Sequence, residues 1–478
     1  MSTTTGAIQT DIPARIDRLP WSRFHLMLVI ALGVTWILDG LEVTIIGSIA
    51  PKLQDPRTLA LTDQDVGTIA AMYVAGAVLG ALMFGWLTDR FGRRIIFFTT
   101  LALYVGSVLG SALAWDFWSF ALFRVLTGVG IGGEYAAINS AIDELMPAKL
   151  RGRIDLMVNG SYWAGAAAGA AVSLPLLSDA YFGVDVGWRI GFGIGAVLGL
   201  GILFLRRFVP ESPRWQVTHG FEDEAHRNTR EIEEKVEQSG GGPLPPPKGT
   251  LTVHPRRVFG FRLIFRTMVH RHRGRSILAL CLMVAQAFLY NSVFFTYGLV
   301  LTKFQGVPSE HVGAYILPLT LGNLMGPLLL GHLFDTVGRK PMITGTYGLA
   351  GVLLLVVAFL FGLDMLTAWT QTLCWMVIFF IASAAASAAY LTASEIFPLE
   401  TRAMAIAVFF ALGTLLGGVT APLIFGWLIG TGVQWYVAGG YFFAGLLMLV
   451  AAVAEVRLGV EAAGRPLEEI AEPLSGED

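Results

Sequence analysis

Long apolar segments are the feature that most constrains how this chain of 478 residues can fold. A helix needs roughly 20 residues to cross about 30 Å of hydrocarbon. Charged residues make up only 14% of the chain, against about 25% in soluble proteins, so these segments cannot all be buried in a soluble core. The sequence therefore predicts an all-α polytopic membrane protein with twelve transmembrane helices. Their predicted bounds are Phe24–Ile49, Val66–Leu87, Ile95–Ala114, Phe117–Ala141, Ile154–Leu177, Gly191–Phe208, Ile277–Leu301, Val312–Leu333, Met342–Leu363, Ala368–Ala393, Ala403–Ile429 and Val433–Ala454.

Composition and motifs exclude several other classes. The net charge of −2 gives no reason to expect a nucleic-acid partner. Cys281 and Cys374, the two cysteines, lie in apolar segments and cannot make a disulfide framework or a zinc site. The sequence has neither a phosphate-binding Gly-x-x-x-x-Gly-Lys-Ser/Thr loop nor a His-Glu-x-x-His metal motif. We therefore expect no catalytic residues, no metal, no cofactor and no pumping by ATP.

The distribution of Lys and Arg predicts the orientation of the helices, because cytoplasmic loops are enriched in these residues. With the N-terminus inside, the outer loops contain only Lys52, Arg57, Arg189 and Lys303. Apart from Arg124, which lies within span 4, the other Lys and Arg fall on the inner side. We therefore expect an integral protein of the plasma (bacterial inner) membrane with both termini in the cytoplasm.

The spans divide the chain into five predicted parts. A cytoplasmic segment (1–23) precedes a six-helix bundle (24–208), a cytoplasmic connector (209–275), a second six-helix bundle (276–456) and a cytoplasmic tail (457–478). The connector ends in a basic stretch, Arg256–Arg275, which we expect to lie against anionic lipid headgroups. A regulatory or partner-binding role for the connector is the alternative.

Two motifs occur twice, at matching places in the two halves. Gly85–Arg94 (GWLTDRFGRR) follows span 2, and Gly331–Lys340 (GHLFDTVGRK) follows span 8. Span 4 leads into Glu144 and Arg151, and span 10 leads into Glu395 and Arg402 in the same way. Such pairing indicates two structurally related six-helix halves.

With these motifs the sequence resembles the major facilitator superfamily, in its sugar-porter-like branch and close to metabolite and aromatic-acid:proton symporters. The resemblance also includes Arg124 with Gly128 and Gly130, the stretch Pro210–Trp215 (PESPRW), and the tail Gly459–Glu469. It implies two pseudo-symmetric helical bundles that rock around a central cavity. Opposite charges at the inner surface would then hold an inner gate shut in one state, whereas anchoring of the inner surface is the alternative. The gating residues implied are Asp89, Arg93, Glu144, Arg151, Asp335, Arg339, Glu395 and Arg402.

Ionisable residues inside the predicted spans are candidates for function, because a charge in hydrocarbon is costly. Asp39 and Glu42 share a face of span 1, and Asp39 lies about 22 Å from the inner end of that span at 1.5 Å per residue. Arg124 in span 4 lies at about 20 Å, a matching depth. A carboxyl group that gains and loses an arginine partner would change protonation between states, which predicts proton coupling. A static buried salt bridge is the alternative. Glu134, about 15 Å nearer the cytoplasm, is a further candidate for coupling or for pairing with the inner charges.

Alignment to the resembled family implies the solute-binding residues Asn159, Gln286, Asn291, Asn323 and Tyr390, although each could instead make helix–helix hydrogen bonds. Three departures weaken the case for a hexose: Ala285 and Gly413 replace glutamines, and Tyr390 replaces a tryptophan. Span 7 is rich in aromatic residues, which favours an aromatic or heterocyclic solute.

We therefore predict a monomeric secondary transporter of a small organic solute, an organic or aromatic acid first and a sugar or polyol second. Proton symport is favoured, and the predicted partners are the solute, protons and lipid. An uncoupled facilitator and a drug- or metabolite-proton antiporter are the alternatives, followed by a membrane sensor that does not transport.

Overall fold

A computed structural model describes residues 8–206, 210–218, 220–241, 244–247, 249, 251–253, 272–397 and 407–461, some of them by backbone alone. The prediction of an all-helical bundle with twelve long spans is confirmed. In the first half the elements are β1 (Ile8–Thr10), α1 (Ile12–Asp17), α2 (Arg23–Leu53), α3 (Asp63–Phe91), α4 (Arg93–Ala112), α5 (Phe117–Leu145), α6 (Ala148–Leu176) and α7 (Gly187–Arg206).

The described part of the connector and the second half follow. The connector contains α8 (Pro213–Thr218), α9 (Glu222–Val236) and β2 (Leu251–Val253). Most of its predicted basic stretch, Arg256–Arg275, falls within 254–271, which lie outside the described residues. The second half contains α10 (Arg273–Phe294), α11 (Tyr297–Phe304), α12 (Val312–Leu330), α13 (Leu333–Thr336), α14 (Arg339–Gly362), α15 (Ala368–Glu395), α16 (Thr420–Gly430) and α17 (Gln434–Leu458).

Length and composition support a membrane location. Within the described residues, ten helices are long and apolar enough to cross a membrane. Helices α5 and α6, each of 29 residues, are packed among them in the same bundle. Large apolar side chains such as Leu79, Trp118 and Leu328 are exposed on its outer surface, as expected where lipid replaces water.

Local capping sets where several spans begin. Thr62 starts α3 in a capping box with Asp65, because each side chain accepts a hydrogen bond from the other residue's backbone N–H. Asp116 starts α5 with Ser119, and Thr367 starts α15 in the same way. Spans 4 and 10, which occupy matching places in the two halves, therefore begin on the same device.

Two spans are interrupted where the sequence pattern is continuous. Span 7, predicted as one helix over Ile277–Leu301, is divided into α10 and α11 at Phe295 and Thr296. In span 11, residues 407–413 are helical and Thr414–Val419 form a π-helix before α16. Interruptions of this kind are frequent at functional sites, because they redirect side chains and free backbone groups.

Glycines allow the helices of the first half to pack closely. A Cβ atom on Gly40 of α2 would lie 2.0 Å from the Tyr162 carbonyl oxygen of α6, and one on Gly132 of α5 would lie 1.9 Å from the Ala77 carbonyl oxygen of α3. Only residues without a side chain permit such approach. These contacts fix the positions of the neighbouring acids Asp39 and Glu134.

The N-terminal segment packs against the connector. β1 pairs antiparallel with β2, and Ile16 and Leu19 are buried together with Ile232 of α9. Arg15 and Arg18 donate to the two oxygens of Glu233, with N–O distances of 2.5 and 2.6 Å. Burial alone would raise the pKa of Glu233, but the hydrogen bonds and charges of the two arginines outweigh it and hold this pKa below its ordinary value.

The two halves touch at the end of the bundle opposite to the N-terminal segment, which we call the far face. Here Lys303 Nζ of α11 lies 2.5 Å from Asp63 Oδ2 of α3. Helix α11 also packs on α2, and α16 packs on α3. These contacts therefore join the two halves at the far face.

Candidate functional site

A cavity of about 270 Å³ lies between the two halves. Helices α2 to α6 line it on one side, and α10 with residues 410 and 414 line it on the other. Its volume is near the lower end of the range of ligand pockets, which suits a solute of one ring. The aromatic lining residues are Trp36, Tyr73, Tyr104, Tyr135, Tyr162, Tyr290, Phe295 and Phe410.

The four predicted proton-coupling residues lie together at this cavity. Asp39 and Glu134 are in its wall. Glu42 and Arg124 lie behind the wall, where Nη1 of Arg124 is 2.5 Å from Oε1 of Glu42 and both side chains are almost fully buried. Two acids that are three residues apart on α2 thus have different surroundings.

Tyr73 connects the wall to the buried ion pair. Its hydroxyl donates to Asp39 Oδ1 at 3.3 Å, and the Arg124 guanidinium lies 4.8 Å from the centre of its ring. On another side the guanidinium lies 5.4 Å from the Phe192 ring. The arginine is therefore held by one carboxylate and two aromatic rings, an arrangement that lowers the cost of burying a cation.

Removing one partner of a buried ion pair typically costs about 3–5 kcal/mol, because the other charge is left uncompensated. The Nε and Nη2 atoms of Arg124 make no hydrogen bond within the described part of the chain. The guanidinium therefore has donors available for a second carboxylate. This arrangement can exchange partners and so can respond to protonation.

The predicted solute-binding amides lie in two different environments. Gln286 and Asn291 of α10 line the cavity. Asn323 is fully buried between helices, where it accepts from the Tyr290 hydroxyl at 2.7 Å and donates to the Leu319 carbonyl oxygen. Asn159 is not among the described residues that line the cavity. The side chain of Tyr390 is outside the described part of the structure.

Sequence reasoning missed most of the aromatic wall. The Trp36 and Tyr135 rings meet edge to face at 5.1 Å, and Tyr135 stacks on Phe410 of the other half with ring centres also 5.1 Å apart. Trp36 lies three residues before Asp39, and Tyr135 directly follows Glu134. Aromatic residues beside intramembrane acids were the available signal.

The gating prediction falls mostly outside the described side chains. Those left undescribed belong to Asp89, Arg93, Glu144, Arg151, Asp335, Glu395 and Arg402. For Arg339, the backbone N–H donates to the Glu461 carboxylate at 2.8 Å. The backbone N–H of Lys340 donates to the same carboxylate at 3.2 Å, and at its matching place in the first half Glu211 accepts from the backbone N–H of Arg94 at 3.1 Å. Each acid follows the last span of its half and stabilises the N-terminus of that half's third span.

Two helical halves around a central cavity, with intramembrane charges beside it, are the arrangement expected of a secondary transporter. The family model described as "Sugar (and other) transporter" matches residues 26–474. The chain therefore belongs to this family of the major facilitator superfamily, whose members are transporters and not enzymes. It is an integral membrane protein that carries small solutes of the sugar or metabolite type.

Individual relatives agree with this assignment. A niacin transporter (NiaP) from Acinetobacter baylyi is 28% identical over 464 residues, which cover 96% of this chain and 99% of the relative. A 4-hydroxybenzoate transporter (PcaK) from the same organism is 27% identical over 226 residues, 46% of each chain. A crystal structure of a D-xylose–proton symporter matches with a TM-score of 0.71 over 92% of this chain and 99% of that one. At 20% identity the last match shows the fold alone.

Proposed function

We propose that the chain is a monomeric proton symporter that carries a small aromatic or heteroaromatic metabolite across the bacterial inner membrane, with both termini in the cytoplasm. The observation that carries the proposal is the buried Glu42–Arg124 pair, which Tyr73 connects to Asp39 in the cavity wall. An uncoupled facilitator would not need this costly arrangement. Helices from both halves of one chain line the cavity, which supports a monomeric unit.

The geometry supports a proton step at the ion pair. When Glu42 takes up a proton, its attraction to Arg124 is lost. Asp39 lies within electrostatic range of the guanidinium, which has donors to spare. We expect the Arg124 guanidinium then to shift between its aromatic neighbours Tyr73 and Phe192, so that protonation of Glu42 depends on the conformation of the cavity wall.

The cavity supports an aromatic solute over a sugar. Aromatic side chains cover much of its wall, and they stack on planar rings. Of the four amides expected to hold a hydroxylated solute, Gln286 and Asn291 alone are among the described residues that line the cavity. The relatives named for niacin and 4-hydroxybenzoate support a single-ring carboxylate, whereas a sugar or polyol is the second candidate.

We propose alternating access as the transport mechanism. Contacts that include the Lys303–Asp63 ion pair join the halves at the far face, and the Tyr135–Phe410 stack joins them on the cavity wall. Rocking of the halves would separate the far-face contacts and bring the predicted gating charges of the opposite face together.

Transport into proteoliposomes tests the coupling. Purified protein is given an inward proton gradient and a panel of aromatic acids, N-heteroaromatic acids and sugars. We expect the gradient to drive accumulation of one ring class. Glu42→Gln should abolish gradient-driven accumulation but retain solute exchange at equal pH on both sides. Glu310→Gln, the same change in an exposed acid before α12, should leave both unchanged.

The other transport modes give different results in the same assay. A facilitator would equilibrate the solute regardless of the gradient, and an antiporter would expel it under an inward gradient. Either result would contradict symport. Uptake that depends on the gradient equally in the wild type and in Glu42→Gln would contradict the role given to the ion pair.

The far-face contact provides a test of alternating access. In a variant whose native Cys281 and Cys374 are replaced by alanine, Asp63→Cys and Lys303→Cys place two thiols across the halves. A short thiol cross-linker should stop transport, and cleaving the linker should restore it. Full transport by the cross-linked protein would contradict rocking at this face.

A further inference from the structure

The charges in the cavity wall are unevenly distributed between the two halves. On the first half, Asp39 and Glu134 contribute two carboxylates. Among the described lining residues there is no Lys, Arg or His. Arg124 is fully buried behind the wall and bound to Glu42. As far as the described residues line this side of the cavity, the solute therefore meets acids and no cation.

The groups around Asp39 do not neutralise it through a direct ion pair. Tyr73 donates a hydrogen bond from α3, and Tyr162 of α6 lies within electrostatic range. Arg124 and Glu134 of α5, like Glu42 on its own helix, act on Asp39 at longer range. Within the described residues no cation lies within ion-pair distance of Asp39.

Aromatic rings line the same wall as this carboxylate. Trp36 lies on the same helix and contacts both Tyr135 and Tyr162, with ring centres 5.1 and 6.3 Å apart. Tryptophan and tyrosine faces attract cations, and the attraction increases where water is excluded. A positive, planar group at Asp39 would be held by charge and by ring faces together.

The opposite wall has a different character. Gln286, Asn291 and Thr414 line it with neutral amide and hydroxyl groups. These groups both donate and accept hydrogen bonds, so they suit a carboxylate or a carboxamide. The cavity is therefore polarised, with acids on one half and neutral polar groups on the other.

We propose that Asp39 is the counter-ion for a positive ring nitrogen of the solute. The cavity then selects small N-heteroaromatic compounds with a protonated or quaternary nitrogen over carbocyclic aromatic acids. This inference rests on the proposed function, because it concerns the same cavity. It assigns Asp39 to solute binding and leaves proton binding to Glu42, the ion-pair partner of Arg124. Glu134 adds to the negative field, and the amides of α10 receive the polar substituent at the other end of the ring.

Two matched pairs of compounds test this assignment by binding alone. 1-Methylpyridinium-3-carboxylate and 3-methylbenzoate have the same shape and differ in one charged ring nitrogen. 1-Methylpyridinium-3-carboxamide and 3-methylbenzamide repeat the comparison without the carboxylate. The methylated nitrogen stays charged at every pH, so the comparison does not depend on titration of the solute. Dissociation constants are measured in detergent by calorimetry and by quenching of tryptophan fluorescence.

In each pair we expect the wild type to bind the pyridinium at least about tenfold more tightly, a difference of about 1.4 kcal/mol. Asp39→Asn should reduce the difference to less than about twofold, while Asp39→Glu should preserve most of it. Glu310→Gln should leave it unchanged. If Asp39→Asn bound none of the four compounds, the Asp39→Glu result would decide between lost folding and lost recognition.

Equal or tighter binding of the carbocyclic compounds by the wild type would overturn the inference. So would an unchanged preference in Asp39→Asn, or loss of the preference in Asp39→Glu. The absence of binding of all four compounds to the wild type would overturn it as well. Because binding needs no gradient, proton-driven uptake of a benzoate by proteoliposomes would leave the proposed function standing while this inference failed.

Discussion

The contribution of the buried Glu42–Arg124 ion pair to the free energy of unfolding can be measured. In Glu42→Gln the Arg124 guanidinium stays buried without its carboxylate. The N–O distance is 2.5 Å, and both side chains are at most 2% exposed. Two unit charges about 4 Å apart attract by about 4 kcal/mol at an effective dielectric constant of 20. We therefore expect Glu42→Gln to lower the free energy of unfolding by about 3–5 kcal/mol.

A double-mutant cycle separates the pair from its surroundings. Arg124→Met fills the same space without charge, and it should also destabilise because it leaves Glu42 buried and unpaired. Combining Glu42→Gln with Arg124→Met removes both charges, and we expect the double variant to be more stable than either single variant. Unfolding is followed by helical circular dichroism in mixed micelles with increasing SDS. If the two single effects simply added, the reasoning from a coupled, buried pair would be refuted.

Two further predictions concern other parts of the chain. Gly40→Ala should lower the melting temperature strongly, because the added Cβ would lie 2.0 Å from the Tyr162 carbonyl oxygen. The control Gly106→Ala should change the melting temperature little, because there is open space around Gly106. Arg15 and Arg18 hold the pKa of Glu233 in the folded protein below its ordinary value of 4.5. The contact between Glu233 and these arginines should therefore be intact above pH 4.5. It should weaken as the pH falls through the lowered pKa of the folded state. Amide hydrogen exchange of β1 should then become faster in acid. In Glu233→Gln the exchange should be fast at all pH values. A β1 exchange rate that changed neither with acid nor in Glu233→Gln would contradict this reasoning.

The sequence was sufficient to predict the twelve spans, because length and apolarity alone decide whether a helix can cross a bilayer. Depth arithmetic matched Arg124 with Asp39, whereas in the structure the arginine pairs with Glu42, three residues further along α2. Both arguments depend on distances along one helix axis. Such distances follow from the rise per residue and need no knowledge of packing.

What depends on the rotation of a helix could not be read from the sequence. Asn323 and Asn291 are both intramembrane amides, yet one bonds between helices and the other lines the cavity. Their directions are set by contacts with neighbouring helices, which no single segment encodes. The interruption at Phe295 and Thr296 was hidden in the same way, because an apolar run looks identical whether its helix continues or breaks.

The packing of the N-terminal segment was also not predicted, although a signal for it exists. Ile12, Ile16 and Leu19 lie at helical spacing in a short stretch that is otherwise polar. All three are buried, two of them against the ends of the spans and α9. A stretch this short shows little periodicity. Its helix is stabilised by packing on α9 of the connector, which is far away in the sequence.

The spacing of the two acids on α2 explains how one helix can serve two tasks. At 3.6 residues per turn, positions three apart differ by about 60° around the axis and by about 4.5 Å along it. Asp39 can therefore face the cavity while Glu42 faces Arg124 on α5. If the two acids were four residues apart, the second would be rotated about 40° in the opposite direction around the helix axis, and it would face a helix other than α5. Because Tyr73 touches both Asp39 and the guanidinium, a change at either acid reaches the other through one side chain. Under the proposed function, binding of the solute at Asp39 and protonation of Glu42 would thus be coupled through Tyr73, as a symporter requires of two sites that do not overlap.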